Sequence, residues 1–134
     1  MGLKLGDRGC YLRTAGKPAL AAMGRGRPAD LSAWANRELW SPCFQADVVC
    51  TVGSGDTTIA GFLTALLRGL PPGPAVTAAV AVGACSVEAP DAVTGIRPWD
   101  ETLRRVAGGW PRHRMNLEAP GWGFDDANGL WCRP

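Results

Sequence analysis

Apolar residues change their spacing at a glycine-rich segment, residues 53–56 of the chain. Before this segment, residues 44–51 include the neighbouring β-branched residues Val48 and Val49 and predict a β-strand. After it, apolar residues recur every three or four positions, as in an amphipathic helix: Ile59, Phe62, Leu63, Leu66 and Leu67. The pattern therefore predicts a strand, a glycine turn and a helix that ends near Gly69.

Two further helices are predicted in the second half of the chain. The first begins around Pro74 and continues to about Val87, in a run rich in alanine and valine. The second begins after Pro98, carries acidic residues in its first turn and ends at the glycines of residues 108–109. Small residues along these helices should allow them to pack closely.

The N-terminal third of the chain carries weaker signals. Residues 3–5 and 10–13 are apolar-rich runs on either side of the segment GDRG, which predicts a β-hairpin. Farther along, we predict only a short helix over residues 31–40, capped by Asp30. We place no chemistry in that part of the chain.

Composition limits the class of protein. The chain has 134 residues, 46% of them hydrophobic, which is enough for one globular domain with a core. Its last residues, 110–134, are rich in glycine, proline and tryptophan without periodicity, so we expect an irregular tail there. The formal charge of +2 and the scattered arginines argue against a nucleic-acid partner. Prolines interrupt the longest uncharged run, which is too short to span a membrane.

The cysteines indicate a reducing environment. Their number is odd, five, and no Cys-x-x-Cys pair occurs, which argues against both a disulfide framework and a zinc site. The first residues also lack the long apolar core of a signal peptide. We therefore expect a cytoplasmic protein with no metal held by its own side chains.

The segment GSGD at residues 53–56 is the strongest candidate for chemistry. A glycine turn that opens a helix directs several backbone N–H groups at one point, and the helix dipole adds positive potential there. Such a turn binds anions. Asp56 follows in the first helical turn, where sequence alone allows two interpretations, a helix cap and a catalytic carboxylate.

The wider string TVGSGDTTIAGFL at residues 51–63 closely resembles the second signature of PfkB sugar kinases. Residues 4–9, KLGDRG, resemble the nucleotide-side hairpin of that family, and residues 82–87, VGACSV, resemble the helix that follows the signature. The resemblance implies an α/β fold over residues 1–109, the C-terminal part of a ribokinase-like three-layer α/β/α domain. That part would comprise a β-hairpin, a strand, an anion-hole turn and packed helices.

The same resemblance implies ATP-dependent phosphorylation of a sugar or nucleoside-like hydroxyl, with ATP and Mg²⁺ as cofactors. It makes Gly53, Ser54 and Gly55 the anion hole for the transferring phosphoryl group. It makes Asp56 the base that accepts the proton of the acceptor hydroxyl. The assignment fits the chemistry, because phosphoryl transfer needs fixed hydrogen-bond donors and a positioned proton acceptor.

Five further residues match nucleotide-binding positions of the family. Lys4, Gly6 and Gly9 fall in the hairpin that lines the nucleotide, and Val80 and Gly83 fall in the helix under the adenine. Two of them also have simpler structural interpretations. Lys4 would be a solvated charge in a strand, and Gly83 would be a site of close helix packing.

Three departures from the family pattern change these expectations. Cys50 stands where many relatives carry an aspartate that holds a monovalent cation, and a neutral thiol is a poor potassium ligand, which argues against activation by potassium. Val80 replaces a frequent adenine-contacting Asn or His, so base selectivity should be loose. Relatives are also much longer, so we expect a fragment without the substrate-binding half. Alone it should bind ATP weakly, turn over no sugar and expose apolar surface that favours homo-oligomers.

Other functions have less support in the sequence. The main alternative is a non-catalytic nucleotide-binding or oligomerisation module descended from such a kinase. A Walker-type ATPase is disfavoured, because no Gly-Lys-Ser/Thr follows the turn. The sole histidine, His113, has no nucleophile motif near it and should be exposed. Four tryptophans should fill the core or interfaces: Trp34, Trp40, Trp99 and Trp110.

Overall fold

The computed structural model describes all residues, 1–134, and has the mixed α/β architecture that the sequence predicts. Five strands and five helices follow one another along the chain: β1 (Gly2–Lys4), β2 (Cys10–Arg13), α1 (Lys17–Ala21), α2 (Leu31–Trp34), β3 (Glu38–Ser41), α3 (Ser54–Leu67), α4 (Pro72–Ser86), α5 (Trp99–Ala107), β4 (Gly123–Asp125) and β5 (Leu130–Arg133). None of these helices has the length and apolar character needed to cross a membrane.

The strands form one antiparallel sheet in the order β1-β2-β3-β5-β4. The predicted hairpin is confirmed, since β1 and β2 pair around a short 3₁₀ turn, Gly6–Arg8. Side chains alternate between the two faces of a strand, and one face of this sheet buries Leu12, Leu39 and Leu130. That face closes the core.

Helix α4 forms the centre of the core. Most of its residues are buried, including Val76 and Ala79 at 0% exposure, because a helix of alanine, valine and glycine is apolar on every side. It packs against β2, β3, α3 and α5. The predicted close packing is confirmed at Gly61 of α3, where an added methyl group would lie 2.9 Å from the Val82 side chain.

The three predicted helices of the second half are confirmed. Helix α3 ends at Leu67, and Gly69 follows with a φ of 77°. Helix α4 begins at Pro72 and ends at Ser86, and helix α5 begins directly after Pro98. Apolar spacing, prolines and glycines are local signals, so they locate helices well.

The predicted strand before the glycine turn is wrong. Residues 45–52 form no regular element, and Val48, Val49 and Val52 are 63% to 67% exposed. The segment is held by irregular hydrogen bonds instead, such as that from the Val49 amide to the Val87 carbonyl at 2.8 Å. A strand needs a neighbouring strand to pair with, and none of the five strands pairs with this segment.

The helix predicted over residues 31–40 is shorter than expected. Asp30 caps α2 as predicted, accepting hydrogen bonds from the amides of Ser32 and Ala33. The helix then ends, Asn36 adopts a φ of 54°, and the following residues form β3. Pairing with β2 on one side and β5 on the other outweighs the local helical signal.

The expectation of an irregular tail over residues 110–134 is wrong for its second half. Strands β4 and β5 form a hairpin, and β5 extends the sheet by pairing with β3. Leu130 at the start of β5 is only 2% exposed. These strands are too short to show a period in the sequence, and their pairing partner lies far away along the chain.

Candidate functional site

A cavity of about 300 Å³ opens where five parts of the chain meet. These parts are the hairpin after β1, the segment 43–51, the first turn of α3, one side of α4 and the tail at His113. Seven predicted site residues line this cavity: Lys4, Gly6, Gly9, Ser54, Gly55, Val80 and Gly83. The structure therefore brings the hairpin and the glycine turn to one space.

The N-terminus of α3 has the geometry of an anion-binding turn. Gly53 has a φ of 76°, a left-handed conformation that favours glycine, and a methyl group there would lie 2.5 Å from Cβ of Ala92. The N–H groups of Gly55 and Asp56 have no hydrogen-bond partner in the chain. Two free amides therefore coincide with the positive end of a 14-residue helix dipole.

Lys4 adds a positive charge at this turn. Its Nζ atom occupies the space that a methyl group on Gly55 would need. The four ion pairs of the chain all involve other residues, so no carboxylate neutralises this ammonium. An anion at the turn would meet backbone amides and an ammonium group together.

Two glycines shape the hairpin turn that forms one cavity wall. Gly9 has a φ of 92°, and a methyl group there would overlap the Ser41 carbonyl oxygen and lie 2.8 Å from the Cys43 amide nitrogen. Gly6 has a φ of 61°, but a methyl group there would meet nothing within 4 Å. Close packing of the wall therefore requires Gly9, whereas only the backbone conformation favours Gly6.

The opposite wall is an apolar stripe that comprises Val80, Gly83 and Ala84 of α4 and Val87 directly after it. Gly83 lies against α3, where a methyl group would overlap Oγ1 of Thr58. That hydroxyl donates to the Ser54 carbonyl at 2.7 Å. Gly83 is thus a site of close helix packing as well as a residue of the cavity wall.

Asp56 lies next to the cavity, outside its lining. It is exposed in the first turn of α3, and its carboxylate accepts no hydrogen bond from the chain. The capping interpretation therefore lacks the side-chain hydrogen bond that defines a cap, and the carboxylate is free to bind a ligand. Cys50 is partly buried nearby in the sequence, and no three residues among His, Cys, Asp and Glu cluster in the chain.

Four polar residues of the cavity were not predicted as site residues: Asp7, Thr51, Thr58 and His113. The first three fall inside the strings that carry the family resemblance, so the sequence held a signal for them. His113 is exposed, as expected, but it also lines the cavity. No sequence pattern marks it, because its position depends on how the tail folds back.

Arg112 fixes the tail beside the cavity. Its guanidinium donates to Oγ of Ser41 at 2.7 Å and to the Pro42 carbonyl at 3.0 Å. It also donates to Oγ1 of Thr77 at 3.3 Å, which connects the tail to α4. Burial lowers the pKa of Arg112 to about 10, so the side chain is still charged at neutral pH.

Comparison with known proteins identifies the family. Residues 25–99 match the family described as pfkB family carbohydrate kinase. This match covers more than half of the chain, and the chain belongs to that family. A comparison with curated proteins gives no match.

A solved structure supports the fold. The chain is similar to the nucleoside kinase of Methanocaldococcus jannaschii, an archaeal member of the ribokinase family, with a TM-score of 0.61 and 23% sequence identity. The similarity covers 80% of this chain and 29% of the nucleoside kinase, so the chain spans less than a third of that protein. The predicted ribokinase-like fold is confirmed.

Proposed function

We propose that this chain carries the nucleotide-binding and catalytic part of a kinase. The kinase transfers a phosphoryl group from ATP to a hydroxyl of a sugar or nucleoside-like substrate. Membership of the carbohydrate kinase family supports a phosphotransferase. The cavity supports the chemistry, because an anion-binding turn, a free ammonium and a free carboxylate lie in or beside it.

The position of Lys4 against Gly55 carries this proposal. Phosphoryl transfer spreads negative charge over the equatorial oxygens of the moving group, and catalysis consists largely of holding that charge in place. The free amides of Gly55 and Asp56 would donate to these oxygens, and the Lys4 ammonium would neutralise part of their charge. Gly53 would hold the turn in the required conformation.

Asp56 is the proposed general base. It follows the anion-binding turn directly, so a hydroxyl aligned with a phosphoryl group at the turn would approach its carboxylate. The carboxylate is exposed and has no hydrogen-bond partner in the chain, which leaves its oxygens available for the acceptor proton. A carboxylate in this place would also orient the attacking oxygen.

Mg²⁺ is proposed to arrive with the nucleotide. This ion keeps several water ligands and usually binds through one or two carboxylates together with substrate phosphates. Asp7 is the carboxylate in the cavity wall and would bind the ion directly or through water. Phosphate oxygens of ATP and water molecules would supply the other ligands. Cys50 offers only a neutral thiol, so we propose no monovalent cation beside the anion hole.

The acceptor would bind residues outside this chain. The cavity of about 300 Å³ is at the small end of the usual range for ligand pockets, and the nucleotide is proposed to occupy it, which leaves no room for a sugar ring. We therefore propose that the chain alone binds ATP weakly and phosphorylates no sugar, because it cannot position an acceptor.

A fusion protein tests this function. Residues 1–134 would be joined to the part of the Methanocaldococcus jannaschii nucleoside kinase that the similarity does not cover, and phosphorylation of nucleosides and sugars by ATP would be measured. Asp56→Asn should lower turnover about a hundred- to ten-thousandfold and change ATP affinity only about threefold or less. The general-base assignment is wrong if this variant keeps more than about a tenth of the parent rate.

Asp100→Asn is the matched control for that experiment. Asp100 is also an exposed carboxylate in the first turn of a helix, α5, but it does not line the cavity. Asp100→Asn should leave the rate of the fusion protein unchanged. Equal losses in both variants would indicate a general effect on helix stability rather than a role in catalysis.

A non-catalytic module is the second candidate, and the surface of α3 favours it. Ile59, Leu63 and Leu67 recur at every fourth position and are 47%, 49% and 72% exposed. Such an apolar stripe favours association with another surface. This candidate predicts oligomers of the chain in sedimentation experiments, and nucleotide binding without phosphoryl transfer in the fusion protein.

A further inference from the structure

The cavity has a polar end and an apolar end along α4. Gly83 marks the polar end, because it packs against Thr58 and the Ser54 carbonyl at the first turn of α3. Val80 lies one helical turn earlier and faces the cavity with an apolar side chain. A nucleotide whose phosphates bind the turn of α3 would therefore extend its base toward Val80.

His113 lines the same cavity from the tail of the chain. Its backbone N–H donates to the Cys43 carbonyl at 2.8 Å, beside an antiparallel bridge between Phe44 and Arg112. Arg112 in turn bonds Thr77, and about 9 Å of helix axis separates Thr77 from the polar end at Gly83. Arg112 therefore anchors this part of the tail at Thr77, which lies one helical turn before Val80 and away from the anion-binding turn.

The His113 ring is available to a ligand. The residue is exposed, lines the cavity and forms no side-chain hydrogen bond in the chain. A neutral imidazole offers one donor and one acceptor, which match the mixed donor and acceptor edge of a nucleobase. The ring can also stack on the face of a base. Val80 can offer neither a donor nor an acceptor.

We infer that His113 recognises the base of the bound nucleotide. The inference rests on the proposed function and adds the residue that gives it base selectivity. Base recognition then comes from the tail, outside the matched residues 25–99, while Lys4 and the turn of α3 hold the phosphates. The nucleobase selectivity that Val80 cannot provide then comes from His113 in the tail.

Nuclear magnetic resonance on the whole chain tests this contact directly. His113 is the sole histidine, so its ring signals are unambiguous. They should shift when Mg²⁺–ATP is added and stay in place when Mg²⁺ and inorganic triphosphate are added. Triphosphate should instead shift the amide signals of Gly55 and Asp56. Ring signals that respond equally to both compounds would overturn the inference.

Variants extend the test to affinity. His113→Ala should weaken ATP binding about five- to tenfold, the usual size of one lost hydrogen bond, and leave triphosphate binding within about twofold. His113→Asn keeps a donor and an acceptor and should recover part of the loss. Arg114→Ala, an exposed neighbour that does not line the cavity, should not distinguish ATP from triphosphate.

The outcomes separate this inference from the proposed function. Unchanged ATP affinity in His113→Ala, together with a loss in Lys4→Ala, would overturn base recognition and leave the kinase proposal standing. Equal losses of ATP and triphosphate in His113→Ala would assign the histidine to the phosphates and also overturn it. A chain that binds neither compound would contradict both proposals.

Discussion

The Nζ atom of Lys4 lies in the space beside Gly55 that any larger residue would fill. Lys4 ends the first strand of the sheet, and Gly55 lies in the first turn of α3. Neither residue forms an anion site alone, because an isolated ammonium lacks direction and two isolated amides lack charge. The Lys4 ammonium can reach this position only because residue 55 is glycine.

Gly55→Ala should weaken anion binding without weakening the fold. The added methyl group displaces the flexible end of Lys4, and alanine is also the better helix former by about 1 kcal/mol. We expect triphosphate affinity to fall about five- to tenfold while the melting temperature stays level or rises. Calorimetric titration and thermal unfolding measure the two effects.

A double-mutant cycle checks that the loss arises through Lys4. Lys4→Ala and Gly55→Ala should lower triphosphate affinity by about the same factor. The double variant should lower it little more than either single variant. Additive losses would show that Gly55 acts separately from the lysine. Gly26→Ala, at a glycine with open space around it, is the control and should bind triphosphate normally.

Gly83→Ala should destabilise the protein through helix packing. The methyl group would overlap Oγ1 of Thr58, and such overpacking costs about 1 to 3 kcal/mol of unfolding free energy. Thr58→Ala removes the obstacle, so the double variant should regain most of that loss. Urea unfolding provides the comparison. If the double variant is as unstable as Gly83→Ala, the clash is not the cause.

Leu130→Ala should cost about 2 to 5 kcal/mol of unfolding free energy, because Leu130 is 2% exposed and lies against Gly73 of α4. Phe124→Ala, at a 44% exposed position in the same hairpin, should cost about 1 kcal/mol or less. Chemical denaturation of both variants measures the difference. A loss at Leu130 as small as that at Phe124 would show that Leu130 contributes little to the core.

Glu88→Gln should remove a pH-dependent part of the stability. The Arg105 guanidinium donates two hydrogen bonds to the carboxylate oxygens of Glu88, with N–O distances of 2.6 and 2.7 Å. These hydrogen bonds hold the pKa of Glu88 below its usual value. A lowered carboxyl pKa stabilises the folded state above the unfolded pKa of about 4.3, and this contribution disappears as pH falls through the folded pKa. The wild type should exceed the variant by about 1 kcal/mol at pH 7 and by much less at pH 3.

Urea unfolding at the two pH values measures that contribution. Glu101→Gln is the control, because Glu101 forms only a single exposed ion pair, with Arg97 at 2.9 Å. Its effect should be about 0.5 kcal/mol or less at pH 7. A Glu88→Gln deficit that is the same at both pH values would indicate lost packing instead of lost charge.

Local signals in the sequence predicted α3, α4, α5 and the hairpin correctly. The apolar period of α3, the prolines before α4 and α5 and the glycines around residues 6–9 each act within a few residues of the element they specify. The same local signals located the glycine turn of α3. The resemblance to the PfkB family predicted in addition that this turn and the hairpin serve one nucleotide site.

The errors all concern pairings between distant residues. Val48 and Val49 have strong strand propensity, but a strand forms only where another strand is available, and here both side chains are exposed. Residues 38–41 look helical locally and become β3 because β2 and β5 flank them. The place of His113 could not be predicted, since it depends on the contacts that Arg112 makes across the fold.

Strand β1 is a three-residue edge strand that pairs with β2 alone, so it should open far more readily than the buried helix α4. Each opening would carry Lys4 away from the glycine turn. The lifetime of the complete anion site is then set by the fraying of β1 and not by global unfolding. A bound phosphate would keep β1 paired with β2. Phosphate binding and the stability of β1 would therefore be thermodynamically linked.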